Sequence, residues 1–156
     1  GSHGVGLQRY VLGVMMNSIA AQANRLLEHV YGGRYRLYRT DETSGRVMKG
    51  GLELEVYDSH NQQRRSVRTL SGGEKFLVAL SLAIGLSTVV QAQGGGIRLE
   101  AIDEGFGSLD RESIADALEI LQGIRRSAGV VGIISHVEAL AETIPTRIEI
   151  TKGKKK

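Results

Sequence analysis

The sequence predicts an α/β fold, and three observations carry that reading. Two apolar segments, 97–102 and Val130 to Ile134, each run into polar residues of ligand type, Asp103-Glu104 and Ser135-His136. Between them, Ile114, Ala117, Leu118 and Leu121 repeat at helical spacing from about Arg111. Strand, helix and strand with a ligand group at each strand's C-terminal end is the pattern of parallel sheets, whose ligands bind at that edge. Third, a long amphipathic segment precedes short alternating stretches, so a helix and small antiparallel strands should stand before the parallel part.

In chain order, Leu7, Tyr10, Val11 and Val14, then Ala23, Leu26, Leu27 and Val30, define an amphipathic helix that should stop at Gly32-Gly33. Tyr35, Leu37 and Arg39 alternate with Arg34, Arg36 and Tyr38 in one strand; Leu52, Leu54 and Val56 alternate with Glu53, Glu55 and Tyr57 in another. The polar stretches 41–51 and 58–65 read as mobile hairpin or loop connections. Leu70 opens a helix, apolar on most faces from Phe76 to about Val90 and therefore expected to be buried. Gln93 and three glycines break it before the strand ending at Ile102. Residues 130–134 read as a strand buried on both faces, and Arg147 to Ile150 as a final strand after Pro145.

With 156 residues the chain is about one domain and can bury its own core. Apolar residues make up 41%, interspersed with charge, and no uninterrupted apolar stretch approaches the roughly 20 residues of a membrane span. The absence of cysteine excludes disulfides and thiolate zinc sites. A net charge of +3, largely from Lys152, Lys154, Lys155 and Lys156, says little about nucleic acid. Gly1-Ser2-His3 reads as an expression-tag scar, residues 4–150 as the folded unit and 151–156 as a basic disordered tail.

The chemistry is concentrated in three motifs. Ser71-Gly72-Gly73-Glu74 fits a capping box, Ser71 capping the helix and Glu74 returning a bond, and the same glycine-lined start leaves amides free for an anion. Asp103-Glu104, delivered by an apolar strand, can serve Mg²⁺ binding and water activation. His136 ends the next apolar strand and can exchange a proton near neutral pH. Singly, each has a plain structural explanation: a cap, solvated loop acids, a structural histidine. No G-x-x-x-x-G-K-[ST] pattern is present, so no lysine stands in a phosphate-cradling loop.

Leu70 to Glu74, Ala101 to Asp110 and Ile133 to Leu140 together resemble the C-terminal half of the ATPase head of SbcC-type exonuclease subunits. These belong to the ABC ATPases that also include the chromosome-maintenance (SMC) proteins. The resemblance covers nearly the whole chain and is strongest from Leu70 onward. It implies that Ser71, Gly72, Gly73 and Glu74 are the signature motif, Asp103-Glu104 is Walker B, the segment ending at Asp110 is the D-loop and His136 is the switch residue. By the same resemblance Asp103 holds Mg²⁺ through its water shell, Glu104 polarises the attacking water, His136 contacts the γ-phosphate, and ATP is bound with Asp110 contributing. It implies as partners an N-terminal P-loop lobe of the same parent chain, a second head in an ATP-dependent homodimer, an SbcD-like nuclease and DNA, in a cytoplasmic, nucleoid-associated protein without a membrane. An SMC or RecN-like head without a nuclease partner, and a non-catalytic DNA- or protein-binding module, are the alternatives.

Two further features stand out. Glu100 lies inside the strand before Asp103, where a carboxylate is costly unless paired with Arg98 or Lys75 or exposed. Arg34, Arg36 and Arg39 with Tyr35 and Tyr38, and Arg64, Arg65 and Arg68, are either solvated arginines beside a half-buried sheet or contacts for DNA phosphates.

Overall fold

A computed structural model describes residues 2–40, 53–94, 99–103, 105–125 and 130–150. Helix α1 (Ser2–Tyr31) ends where expected, because Gly32 and Gly33 adopt φ of 57° and 84°, a left-handed turn that breaks the helix. Strands β1 (Tyr35–Arg39), β2 (Leu54–Asp58) and β3 (Gln63–Ser66) form an antiparallel sheet in that order. Helix α2 (Gly72–Ala92) leads to β4 (Leu99–Asp103), α3 (Arg111–Arg125), β5 (Val130–Ile134) and the short α4 (Glu138–Thr143). β4 and β5 pair in parallel, with Asp103 opposite Ile134.

The α/β expectation holds, and α2 explains how its two parts join. Leu77, Leu80 and Ile84 of α2 pack with Phe106, Ile114, Ala117, Leu118 and Leu121 around α3. Val78, one residue on from Leu77, turns the other way into a second cluster with Ala23, Leu27, Tyr35, Leu37, Val56 and Leu70. One helix serving two cores must be apolar on most faces, as its sequence is. Its crossing with α1 is close: a Cβ on Gly85 would stand 2.7 Å from the Ile19 carbonyl oxygen. By length and composition alone α2 could cross a membrane, a property overlooked in reading uninterrupted stretches; its buried residues face α1 and α3.

One expectation is narrowed and two need correction. Of the hairpin or loop expected at 58–65 the structure has the hairpin: the end of β2, a turn and the start of β3. Asp58 is fully buried there, its carboxylate accepting from the His60 amide at 3.1 Å and the Asn61 side chain at 3.3 Å, so it builds the turn. Residues 147–150 form no strand, and Ile148 and Ile150 are 93% exposed. β5 is not buried on both faces, since Ile134 is 60% exposed and Val131 to Ile133 are half-buried. With only β4 paired to it among the described residues, β5 lacks the covering that a central parallel strand receives.

The stripe on α1 is likewise used only in part. Ala23, Leu26, Leu27 and Val30 pack, whereas Leu7, Tyr10, Val11 and Val14 are exposed. Arg39, the last residue of β1, comes against α1 at Gly13. The expected loop at 41–51, Leu52, Arg98, the Glu100 side chain and the tail at 151–156 lie outside what is described.

Candidate nucleotide site

Three segments carry the candidate residues: the start of α2, the turn after β4 and the end of β5. At the first, Ser71 is extended (φ −61°, ψ 168°) and its Oγ accepts the Glu74 amide at 3.3 Å, while Glu74 Oε2 accepts the Ser71 amide at 2.8 Å. This is the capping box expected from the sequence. It satisfies the amides of Ser71 and Glu74 and leaves those of Gly72 and Gly73, in the first helical turn, without intrahelical acceptors. Because Ser71 Oγ is used as an acceptor, its hydroxyl proton can still be donated outward. Nothing stands within 4 Å of a Cβ on Gly72, so a ligand oxygen could approach that backbone.

The turn after β4 is pressed against this helix start. Gly105 has φ +100°, and a Cβ there would meet the Phe76 ring at 2.5 Å. Phe76 packs edge-on against fully buried Phe106 at 4.9 Å. A Cβ on Gly73 would stand 2.5 Å from Ser113 Oγ, at the start of α3. The two helix starts thus meet closely at this glycine, and a side chain there would have to displace the Ser113 hydroxyl. Asp110 begins α3: its Oδ1 accepts the Ser113 amide at 2.7 Å, and its backbone oxygen accepts from Ile114 at 3.0 Å. The Ser113 backbone and hydroxyl bonds hold the Asp110 carboxyl below the usual carboxylate range. Assigned by resemblance to the nucleotide, Asp110 thus has a helix-capping role inside its own lobe.

His136 comes to the other side of the same turn. A Cβ on Gly107 would lie 3.2 Å from its Cε1 and 3.3 Å from its Nε2, so the imidazole rests on the Gly107 backbone. The parallel register that sets Asp103 against Ile134 places Asp103 and His136 at one sheet edge. Both are exposed. Glu104 lies outside the described residues. Among the described residues no group of three His, Asp or Glu could hold a metal. One exposed carboxylate still fits Mg²⁺, which takes one or two protein carboxylates and fills its other positions with water and phosphate oxygens.

Sequence reasoning missed the groups that support the helix start from below. Tyr35 is 2% exposed, and its hydroxyl donates to Glu74 Oε1. Burial, then this bond to a carboxylate, push the Tyr35 hydroxyl up to about 12. Burial would raise Glu74, but its bonds from Tyr35 and Ser71 outweigh that and leave it below the usual range. Arg34 lies 4.6 Å over the Tyr35 ring and reaches Asp58 at 3.3 Å. Arg65 reaches Asp58 at 3.5 Å and donates to the Thr69 backbone oxygen at 3.1 Å, just before the motif. Arg34 and Arg65 are thus turned inward, and Arg64 stacks 4.4 Å over Tyr38. The alternation of β1 showed which side Tyr35 faces; nothing local revealed that its hydroxyl would find Glu74, 39 residues away.

The chain is similar to known proteins in sequence and in fold. Residues 48–123 match a family described as SbcC/RAD50-like, Walker B motif. The chain is 48% identical over 148 residues to the SbcC component of nuclease SbcCD from Vibrio cholerae, covering 94% of this chain and 15% of that protein. It is 46% identical over 149 residues to the same component from Staphylococcus haemolyticus, covering 94% and 14%. Among solved structures it resembles a chain from work on ATP-driven dimerization and DNA-stimulated activation of SMC ATPases, with TM-score 0.71 and 14% identity over 93% of this chain and 83% of that one. It also resembles the SMC head domain from Thermotoga maritima, with TM-score 0.58 and 17% identity over 88% and 44%. The chain has the fold of an SMC-head lobe, matches the SbcC/RAD50-like Walker B family over residues 48–123, and spans about 15% of the length of its SbcC relatives.

Proposed function

We propose that this chain supplies the signature, Walker B, D-loop and switch histidine of the ATPase head in an SbcC-type protein. The observation that supports this most is the position of the 105–110 turn. It lies between Gly73 and Phe76 of α2 on one side and His136 on the other, so this turn links the signature helix to the switch histidine. Ser71 Oγ and the amides of Gly72 and Gly73 suit phosphate oxygens. Asp103 suits a hydrated Mg²⁺, Glu104 the attacking water and His136 the γ-phosphate.

A P-loop lobe would bring the glycine amides and lysine that this chain lacks. ATP held there would be closed by Ser71, Gly72 and Gly73 of a second head, because these donors point out of a helix start. ATP-driven pairing and hydrolysis would then control an SbcD-like nuclease at DNA ends. Identities of 46–48% to SbcC proteins, against 14–20% to SMC heads of the same fold, favour this over an SMC or RecN-like role.

The chain alone should neither bind Mg-ATP tightly nor hydrolyse it, and micromolar binding by calorimetry would contradict the reading. In the intact parent head, Glu104→Gln should keep ATP binding and slow hydrolysis by about 10²–10⁴-fold, since it removes the base and keeps the shape. His136→Ala should behave similarly. Asp103→Ala should instead weaken Mg-nucleotide binding. Equal losses of affinity in all three variants would refute the division of roles.

A further inference from the structure

Tyr35 offers more than core volume. Its ring is packed edge-on to Tyr31 at 5.0 Å and lies under the Arg34 guanidinium, which Asp58 holds in place. A phenylalanine would fill that space equally well. What the tyrosine adds is a hydroxyl directed at Glu74 Oε1. The other carboxylate oxygen, Oε2, accepts the Ser71 amide. A capping box alone requires only that second bond, and with it alone the carboxylate can still turn about its terminal torsion. With both oxygens engaged, its plane is fixed between β1 and the helix start.

The segment entering the motif is held from the same sheet. Arg65 of β3, anchored on Asp58, donates to the backbone oxygen and hydroxyl of Thr69 at 3.1 and 3.2 Å. Leu70 is buried in the cluster that contains Tyr35. Ser71 is thus approached from Glu74 on one side and Thr69 on the other, and both attachments trace to the antiparallel sheet.

We propose that Tyr35 is a positioning residue for the signature motif, acting through Glu74 to fix the Ser71 hydroxyl and the Gly72 and Gly73 amides in the geometry that receives a phosphate. The proposal deepens the ATPase-head reading and rests on it for the identity of the ligand, but the mechanical link is a property of this chain alone. Tyr35→Phe keeps the ring and removes the link. Glu74→Ala removes the receiving group.

The test compares Tyr35→Phe, Glu74→Ala and the double variant by amide hydrogen exchange in this chain. Loss of one bond to a carboxylate should speed exchange at Ser71 by about tenfold, while Leu77 and Ile84 keep their parental rates. In the Glu74→Ala background, Tyr35→Phe should add nothing, because residues acting through one contact are not additive. In the intact parent protein, Tyr35→Phe should weaken ATP-dependent head pairing by about tenfold in sedimentation and leave ATP binding to single heads unchanged.

Unchanged Ser71 exchange, or an equal effect of Tyr35→Phe with and without Glu74, overturns the positioning role. Loss of protection at Leu77 and Ile84 as well overturns it too, by showing general loosening of the core. Parental heads that fail to pair with ATP would instead refute the ATPase-head reading, and the exchange cycle would still decide the role of Tyr35.

Discussion

Asp58 is the residue whose environment departs furthest from what its type suggests. Its side chain is 0% exposed, yet it keeps its charge: burial raises its proton affinity, and the bonds from Arg34 and the His60 amide, with the charge of Arg65, more than reverse that and leave its pKa lowered. A carboxylate with a lowered folded pKa contributes stability that is full above its unfolded value, about 3.9, and is lost as pH falls through the folded value. Acid unfolding of the parent chain should therefore draw on Asp58 below about pH 4. Asp58→Asn should cost about 2–3 kcal/mol at pH 7, less than a fully sealed pair because Arg34 and Arg65 are 34% and 30% exposed, and should flatten the acid limb. Chemical denaturation at pH 7 and pH 3 checks both parts; a variant with the parental pH slope would contradict them. The sequence did not disclose this residue, because an aspartate next to Ser, His and Asn reads as a turn, and only the β1–β2–β3 register brings Arg34 and Arg65 to it.

At the scale of elements, the reading from the sequence succeeded where one segment carried its own signal. Gly32-Gly33 ended α1, Ser71 and Glu74 capped α2, and the period of Ile114, Ala117, Leu118 and Leu121 marked α3. It failed where the decision lay with a neighbour. Gln63 to Ser66 has no apolar alternation and is a strand only because β2 pairs with it, and Arg147 to Ile150 has the alternation but no partner strand among the described residues. The candidate site divides the same way: motif order singled out Asp103, Asp110 and His136 as candidates, whereas Tyr35, Ser113 and the closeness of Gly107 to His136 depend on packing. Gly85 tests the tightest such packing. Gly85→Ala should destabilise by about 1–3 kcal/mol, because the Ile19 carbonyl is backbone and cannot move without α1. Urea unfolding measures it, and a gain of stability, the usual result of Gly→Ala in an open helix, would show that the helices separate without cost.

For the molecule as a whole, the incomplete feature is the parallel sheet. Two strands, the number among the described residues, are few for a parallel sheet, which is normally covered on both faces, and here Ile134 at the end of β5 is 60% exposed at the same edge as Asp103 and His136. If a P-loop lobe completes the head, its strands or loops should cover this residue, and fully burying an isoleucine contributes about 1.5–3 kcal/mol. Ile134→Glu should then leave the chain's own unfolding within about 0.5–1 kcal/mol of the parent, since the side chain is already largely in water. The same change should weaken association with a separately expressed P-loop lobe by about tenfold or more, because a carboxylate would be buried at the seam without a partner. Leu12→Glu, on the exposed first half of α1, is the control and should leave that association unchanged. Titration calorimetry of the two lobes reads both. If Ile134→Glu associates as tightly as the parent, the open edge of β5 is not where the two lobes meet, and the convergence of Asp103 and His136 on that edge would need another explanation than a shared nucleotide.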